Sequence, residues 1–288
     1  LSLSIVIPAR NEEQGLRGIL PKLIELYPDS EIIVVDDGSS DATAEVVTEA
    51  GVKLISHPYP KGNGAAIKSG ARAATGDHLL FMDGDGQHRP EDIQLLLAKK
   101  DQGYDMVVGA RSGVGAQASL ARWGANSIYN RLASWMVNCK IDDLTSGFRL
   151  VVRKKFLSFL YLLPNGFSYP TTSTMAFFRA GHSVGFTTVV VNQRSGDSHI
   201  SPIRDGVRFL LIIFKIGSLY SPLKIYFPVS FFFVAAGLLN YVYSYVTAGR
   251  FTNMSMLLLL AGALVFFIGL LSEQLTNLQY KDSEDEHS

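Results

Sequence analysis

Leu79-Leu-Phe-Met-Asp-Gly-Asp-Gly-Gln-His88 decides how this chain is read. An apolar run, Leu79 to Met82, delivers two carboxylates, Asp83 and Asp85, separated by a glycine. In an open α/β sheet, ligands gather in the crevice outside the carboxyl ends of the strands, and this pair would stand there. Gly84 and Gly86 permit tight backbone geometry beside a ligand. Two carboxylates and the amide oxygen of Gln87 are hard donors. They suit Mg2+ or Mn2+, ions held by few protein ligands together with substrate phosphates. An acidic turn between strand and helix accounts for the same residues without a metal, and the stretch alone does not choose.

The flanking sequence supplies the fold. Ser4 to Ile7 is a short strand ending at Pro8, and Asn11-Glu-Glu13 starts a helix with Leu16, Ile19, Leu20, Leu23 and Ile24 at helical spacing. Glu31 to Val35 is an apolar strand that stops at Asp36-Asp-Gly-Ser-Ser40, with Asp41 as N-cap of a helix reaching Ala50. Val52 to Ser56 is a third strand, followed by Lys61-Gly-Asn-Gly64 and an alanine-rich helix to Ala74. Past the central stretch come a helix from Pro90 to Lys100 and a strand from Asp105 to Gly109. Strands alternating with helices predict a parallel, helix-covered sheet of the α/β class. Three loops then share one sheet edge: Pro8-Ala-Arg-Asn-Glu12, Asp36-Asp-Gly-Ser39 and Asp83-Gly-Asp-Gly-Gln87. Carboxylates there can accept bonds from ribose hydroxyls and base N–H groups, which points to a nucleoside diphosphate joined to a second group. A Mg2+-dependent phosphatase or a nucleotidyltransferase fits these features equally.

Between Gly109 and Arg194 the alternation loosens. Ser119 to Val137 is amphipathic and reads as a core helix or as one lying against a membrane. Thr145-Ser-Gly-Phe-Arg149 is a turn into another apolar segment, and a strand from Thr187 to Asn192 leads to Gln193-Arg-Ser-Gly-Asp-Ser-His199. Over Pro202 to Ser218, Arg204, Arg208 and Lys215 fall within roughly 40° of one another on a helical wheel. A basic stripe on a very apolar helix suits the interface of an anionic membrane. Pro228 to Val246 and Met254 to Leu271 carry no charge. The first, at about 19 residues, would reach roughly 28 Å as a helix, near the hydrocarbon thickness of a bilayer. The short connection Thr247-Ala-Gly-Arg-Phe-Thr-Asn253 makes the pair a hairpin. Lys215 and Lys224 precede the first span while the connection holds only Arg250, which places the large domain in the cytoplasm. The expected organisation is a globular domain over 1–199, an interfacial helix region over 200–224, a transmembrane hairpin over 225–275 and an acidic tail over 276–288.

The formal charge of +0 gives no global field for nucleic acid, and Cys139, the only cysteine, excludes an intramolecular disulfide. Lys61-Gly-Asn-Gly-Ala-Ala66 lacks the Lys-Ser/Thr ending of a P-loop. Asp37 and Asp143 read as turn or capping residues, and His57, His78 and His182 as structural.

Four motifs stand in register: Ile5-Val-Ile-Pro-Ala-Arg-Asn-Glu12, Val34-Val-Asp-Asp-Gly-Ser39, Lys61-Gly-Asn-Gly64 and Asp83-Gly-Asp85. In this order they resemble the family 2 glycosyltransferases of the GT-A fold. Gly109-Ala-Arg111, Arg122, Asp143-Leu-Thr-Ser-Gly-Phe-Arg149 and Arg194-Ser-Gly-Asp-Ser-His199 further resemble the polyprenyl-phosphate group, dolichyl-phosphate mannosyltransferases included. The resemblance implies a membrane-anchored, inverting enzyme. It would move one hexose, mannose before glucose, from a GDP- or UDP-sugar to a dolichyl or undecaprenyl phosphate at the cytoplasmic face, in a prokaryotic plasma membrane. It also assigns residues. Pro8, Arg10, Glu12 and Asp36 would contact the nucleoside, with Lys61 and Gly64 on the same nucleotide-sugar side. Asp83, Asp85 and Gln87 would hold the metal and the donor diphosphate. Arg111, Arg122 and Arg194 would hold phosphate groups as planar forks, joined on the acceptor side by Ser198 and His199. Asp85, Arg111 and Arg194 would carry catalysis. Arg10 stands where the family commonly has an aromatic residue, and His199 where it commonly has lysine. A GT-A enzyme with another lipid or glycan acceptor, and a membrane-anchored nucleotide-sugar binder without turnover, are the alternatives.

Overall fold

The computed structural model describes residues 2–112, 120–166, 169–191, 217–218 and 220–285, with the backbone alone over 112, 120–126 and 279–285. Backbone contacts divide the chain into two units, Leu1–His199 and Ile200–Ser288.

The first unit alternates as its sequence implies. Strand β1 (Leu3–Ala9) is followed by α1 (Glu13–Leu26), β2 (Glu31–Asp36), α2 (Thr43–Glu49), β3 (Lys53–Ser56), α3 (Asn63–Ala73) and β4 (His78–Phe81). A short 3-10 turn, Pro90–Asp92, then runs into α4 (Ile93–Lys100) and β5 (Met106–Ser112). Next come α5 (Leu120–Val137), β6 (Arg149–Val152), α6 (Arg153–Leu157), α7 (Tyr169–Arg179) and β7 (Val184–Val190). The strand order is β3-β2-β1-β4-β6-β5-β7. Both faces of the central strands are covered, so Ile5, Val6 and Ile7 in succession are fully buried. On one face Leu3, Ile5 and Ile7 join Leu16, Leu20 and Leu23 of α1, Val47 of α2 and Leu96 of α4. On the other, Phe81 packs against Phe156 of α6 at 4.7 Å between ring centroids, the rings tilted by 43°. Each such side chain contributes about 1.5–3 kcal/mol relative to leaving it in water.

The all-parallel sheet expected from the alternation is corrected in one place. β6 lies between β4 and β5 and is antiparallel to both, while β5 and β7 are parallel. The reversal is local: the chain leaves β5, makes α5, and re-enters the sheet from the edge where β4 and β5 end. That entry carries residues 143–148 between the ends of β4 and β5.

The second unit contains α8 (Pro222–Ala248) and α9 (Asn253–Asp285), joined by a left-handed Gly249. Both are long and apolar enough to cross a membrane, and little of either apolar window is buried, unlike core helices of a soluble domain. Small residues line their contact at seven-residue intervals, Ser230, Gly237 and Ser244 on α8 against Ser255, Gly262 and Gly269 on α9. A Cβ on Gly262 would stand 2.6 Å from Val234 Cγ2, and Ser230 Oγ donates to the Gly262 carbonyl at 2.8 Å. Close backbone approach at such seams is what associates helices in lipid. Helix α9 runs on through the start of the acidic segment expected as a tail, to Asp285. The basic helix expected over Pro202 to Ser218 lies almost wholly outside the described residues.

Candidate active site

Strands β1, β2 and β4 end toward the same sheet edge. Ala9 pairs with Asp36, and Val6 with Phe81 two residues before Asp83. Their loops are tied together by backbone and side-chain bonds. The Asn11 N–H donates to Ser39 Oγ at 2.9 Å, and Asn11 Oδ1 accepts the Ser40 N–H at 2.8 Å. The Glu12 N–H donates to Thr43 Oγ1 at 3.0 Å. Pro8 and Asp36 are buried, Glu12 is half-buried and Arg10 is exposed. Asp36 Oδ1 accepts the Ser39 N–H at 3.0 Å, which fixes its carboxylate at the mouth of the β2 loop.

Asp37, expected as a turn residue, reaches further. It accepts the backbone N–H groups of Lys61 at 2.8 Å and Gly62 at 2.7 Å, and bonds His57 Nδ1 at 2.7 Å. His57 Nε2 in turn meets Ser69 Oγ at 2.8 Å. Burial alone would push the Asp37 carboxyl up. The bonds from His57, Lys61 and Gly62 outweigh it and hold the group below the usual carboxylate range. The Lys61 side chain is exposed, with Nζ 5.6 Å from the Tyr59 ring centroid. The Gly64 and Ala65 N–H groups donate to the carbonyls of Gly166 and Asn165 at 3.3 and 2.9 Å. The start of α3 is thus capped by the 165–166 loop, and the Gly64 N–H is engaged there.

Asp83, Asp85 and Gln87 are half-buried around a left-handed Gly86, and Asp85 Oδ1 accepts the Gln87 N–H at 3.1 Å. Among the described residues no cluster of three His, Cys, Asp or Glu side chains could hold a metal by itself. Two carboxylates with an amide oxygen still fit a divalent ion completed by phosphate oxygens, and disfavour an all-protein cage. His88, immediately after, is buried and stacked on Phe148 at 4.8 Å and 16°. Burial pulls its imidazole down to about 4, so it is neutral at pH 7.

The antiparallel β6 brings the segment Asp143–Phe148 to this edge. Arg149 pairs with both Phe81 and Val108, so Gly147 falls beside Asp83. A Cβ at 147 would stand 2.6 Å from Asp83 Oδ2, so a larger residue there would displace this carboxylate. Arg111, at the end of β5, donates from Nε to Asp143 Oδ2 at 2.7 Å, and from Nη2 to Asp143 Oδ1 at 3.0 Å and Thr145 Oγ1 at 2.6 Å. These bonds leave Nη1 unengaged by the pair. Burial pulls the Arg111 guanidinium down, but Asp143 more than restores it. Asp143, itself buried, also accepts the N–H groups of Thr145 and Ser146 at 3.0 and 3.1 Å, and its carboxyl lies below the usual range despite burial. Beside these groups, Asn63, Asp83, Thr145, Gly147 and the start of α7 enclose a cavity of about 80 Å³.

The expected Asp83, Asp85, Gln87 and Arg111 are therefore brought to one edge with Asp36 and Pro8. The Arg122 side chain, Arg194, Ser198 and His199 lie outside the described residues. The sequence profile of Glycosyl transferase family 2 matches residues 4–159, more than half of the chain and all of the elements just described up to α6. The chain belongs to glycosyl transferase family 2. A second profile, the GtrB C-terminal hairpin, matches residues 221–278, the α8–α9 pair of this glycosyltransferase. Glycosyltransferase AglJ of Haloferax volcanii is 28% identical to it over 297 residues, covering 96% of this chain and 94% of that protein. The undecaprenyl-phosphate 4-deoxy-4-formamido-L-arabinose transferase of Klebsiella pneumoniae is 37% identical over 140 residues, 45% of this chain and 42% of that protein. A solved glucosyl-3-phosphoglycerate synthase of Mycobacterium tuberculosis, in complex with Mn2+, UDP and glucosyl-3-phosphoglycerate, superimposes with a TM-score of 0.60 at 21% identity. It covers 75% of this chain and 79% of that chain, and the likeness establishes the GT-A-like fold of this glycosyltransferase.

Sequence reasoning passed over three contributors to the site: the buried Arg149, Tyr169 at the start of α7, and Asp37 as the anchor of the Lys61–Gly62 backbone. The first two became legible only with the antiparallel register of β6. Asp37 had a signal in the paired aspartates at a strand end.

Proposed function

We propose that this glycosyltransferase transfers one hexose, mannose before glucose, from a GDP- or UDP-sugar to a polyprenyl phosphate, with inversion at the anomeric carbon. The observation that carries the reading is the meeting of the Asp83–Gln87 loop with the Arg111–Asp143–Thr145 group across Gly147. One side is suited to a donor diphosphate and the other to an anionic acceptor. The Klebsiella relative, an undecaprenyl-phosphate 4-deoxy-4-formamido-L-arabinose transferase, and the apolar α8–α9 pair support a lipid acceptor. The charge difference of Lys215 and Lys224 against Arg250 supports a cytoplasmic catalytic unit.

Pro8, Arg10, Glu12, Asp36 and Lys61 serve the nucleoside end of the donor, while Asp83, Asp85 and Gln87 would hold Mg2+ or Mn2+. When bound, such an ion neutralises the charge that develops on the leaving diphosphate. A phosphate monoester carries roughly −1.5 to −2 charges at pH 7, so its oxygen needs no base to become a nucleophile. What the protein must do is hold two repelling phosphates in line. Arg111 contributes an N–H edge whose direction Asp143 fixes, and Arg122, Arg194, Ser198 and His199 complete the acceptor side.

The test is incubation of the purified chain with polyprenyl phosphate and a panel of nucleotide sugars, followed by mass spectrometry of the lipid. One hexose added to the phosphate supports the reading. Transfer to a different lipid or glycan, or nucleotide-sugar binding without turnover, replaces it with one of the two alternatives.

A further inference from the structure

Arg149 is wholly buried, yet among the described residues no carboxylate bonds it. Nη1 donates to the Pro170 carbonyl at 2.8 Å, Ser173 Oγ at 2.7 Å and Thr174 Oγ1 at 3.1 Å. Nη2 donates to the Ser146 carbonyl, and Nε finds no partner among the described residues. The guanidinium carbon lies 5.7 Å from the centroid of the Tyr169 ring. A buried cation without a bonded counter-charge is costly, and a leucine or methionine at the start of β6 would fill the core without that cost. Its retention calls for a task.

The neighbours of Arg149 indicate the task. Ser146, whose carbonyl it grips, precedes Gly147, the residue against which the Asp83 carboxylate rests. The Tyr169 hydroxyl donates to the Gly147 carbonyl at 3.2 Å, and its ring lies under the guanidinium. Pro170, also gripped, lines the same cavity as Asp83 and Gly147. Arg149 therefore clamps two separate walls, the 146–147 backbone and the first turn of α7, on which the placement of one carboxylate depends. Burial pulls the Arg149 guanidinium down, and Asp143 and Asp83 both oppose this through space.

We infer that Arg149 is a positioning residue for Asp83: it locks Gly147 and Tyr169 into the wall that holds this carboxylate at the donor side of the site. The inference rests on the reading of Asp83 as a metal-side residue. The gripped Ser146 also gives its N–H to Asp143, so a smaller effect on the acceptor half is expected beside the loss at the metal side.

The experiment measures Mn2+ binding by electron paramagnetic resonance, with UDP or GDP present, alongside steady-state kinetics on the full chain in detergent. Arg149→Lys keeps the charge but loses the fork. Gly147→Ala disturbs the same contact from the other side and decides the matter if the arginine variant does not fold. Both should weaken Mn2+ binding about ten-fold or more, the usual cost of losing a group that orients a metal ligand. Both should lower kcat, with any rise in the KM for polyprenyl phosphate smaller than the loss of Mn2+ affinity, because the two Arg111–Asp143 bonds themselves are kept. Asp83→Asn is the reference. If it binds Mn2+ as the wild type does, the metal-side reading fails and takes the inference with it. If it loses Mn2+ while Arg149→Lys and Gly147→Ala bind normally, or if those variants change the acceptor KM alone, the inference on Arg149 is overturned by itself.

Discussion

Arg111 and Asp143 form a two-point ion pair at the end of β5, with Nε to Oδ2 at 2.7 Å and Nη2 to Oδ1 at 3.0 Å. The pair aims the arginine and also cancels its charge, so Arg111 acts through a directed N–H rather than a net field. Asp143→Asn keeps the shape but weakens the aim. It should raise the KM for the acceptor phosphate about ten-fold, whereas Arg111→Ala should cost about a hundred-fold or more in kcat. Steady-state kinetics with saturating donor separates the two. A dead Asp143→Asn beside a near-normal Arg111→Ala would mean that the carboxylate is a base and the acceptor is not a phosphate.

Asp37 supports a donor-side prediction. By holding the Lys61 and Gly62 N–H groups it shapes the backbone between β3 and α3. Asp37→Ala should raise the donor KM about ten-fold and leave the acceptor KM unchanged, as expected for lost ground-state positioning. Equal effects on both substrates would show that the loop serves general stability only.

At the opposite end of the sheet, Glu31 ties four segments. It accepts from Ser4 Oγ at 2.6 Å, the Thr75 N–H at 2.8 Å and Lys53 Nζ at 2.9 Å. Burial pushes its carboxyl up, but these bonds win and hold it at about 2. A depressed carboxyl contributes stability that is fully present above its unfolded value near 4.5 and is lost as pH falls from there to about 2. By linkage this is on the order of 3 kcal/mol, and screening at a partly exposed side chain reduces it to about 2 kcal/mol. Glu31→Gln should therefore melt well below wild type at neutral pH, with the gap closing in acid. Thermal melts across that range check it, and a gap independent of pH would refute the assignment.

In the hairpin, the seven-residue seam fixes which residues meet. Asn240→Cys with Ser255→Cys, in a Cys139→Ser background, should cross-link under mild oxidation, because the two side chains meet between the helices, Ser255 Oγ lying 2.8 Å from Asn240 Oδ1. Val242→Cys with Ser255→Cys should not, since Val242 is largely exposed on the outer side of α8. Equal cross-linking of both pairs would contradict the register.

How far the sequence alone carried the structure depended on the kind of signal. Strands β1 to β4 are apolar runs closed by turn residues, and the hairpin is two uncharged spans, so periodicity and hydropathy reached both. β6 is only four residues and opens on an arginine, which hides it from any hydrophobic pattern. α7 begins Tyr-Pro-Thr-Thr-Ser-Thr and is buried from Tyr169 through Phe177, so it lacks the polar face that marks a surface helix. The carboxylate loops at the sheet edge were legible because a strand end announces its loop. The contact of Asp83 with Gly147 was not, because it depends on the direction of one strand, which local sequence does not encode. The small residues at 230, 237 and 244 were visible but submerged in the hydropathy of their span.

A polyprenyl phosphate acceptor and a polyprenol acceptor differ by the phosphate alone. The most direct measurement gives the purified glycosyltransferase labelled nucleotide sugar together with a matched pair of lipids, polyprenyl phosphate and the corresponding polyprenol. Parallel samples contain Mn2+ or EDTA. Label is expected on the phosphate lipid alone, dependent on Mn2+ and in inverted anomeric configuration. Label on the polyprenol at a comparable rate would contradict a phosphate acceptor.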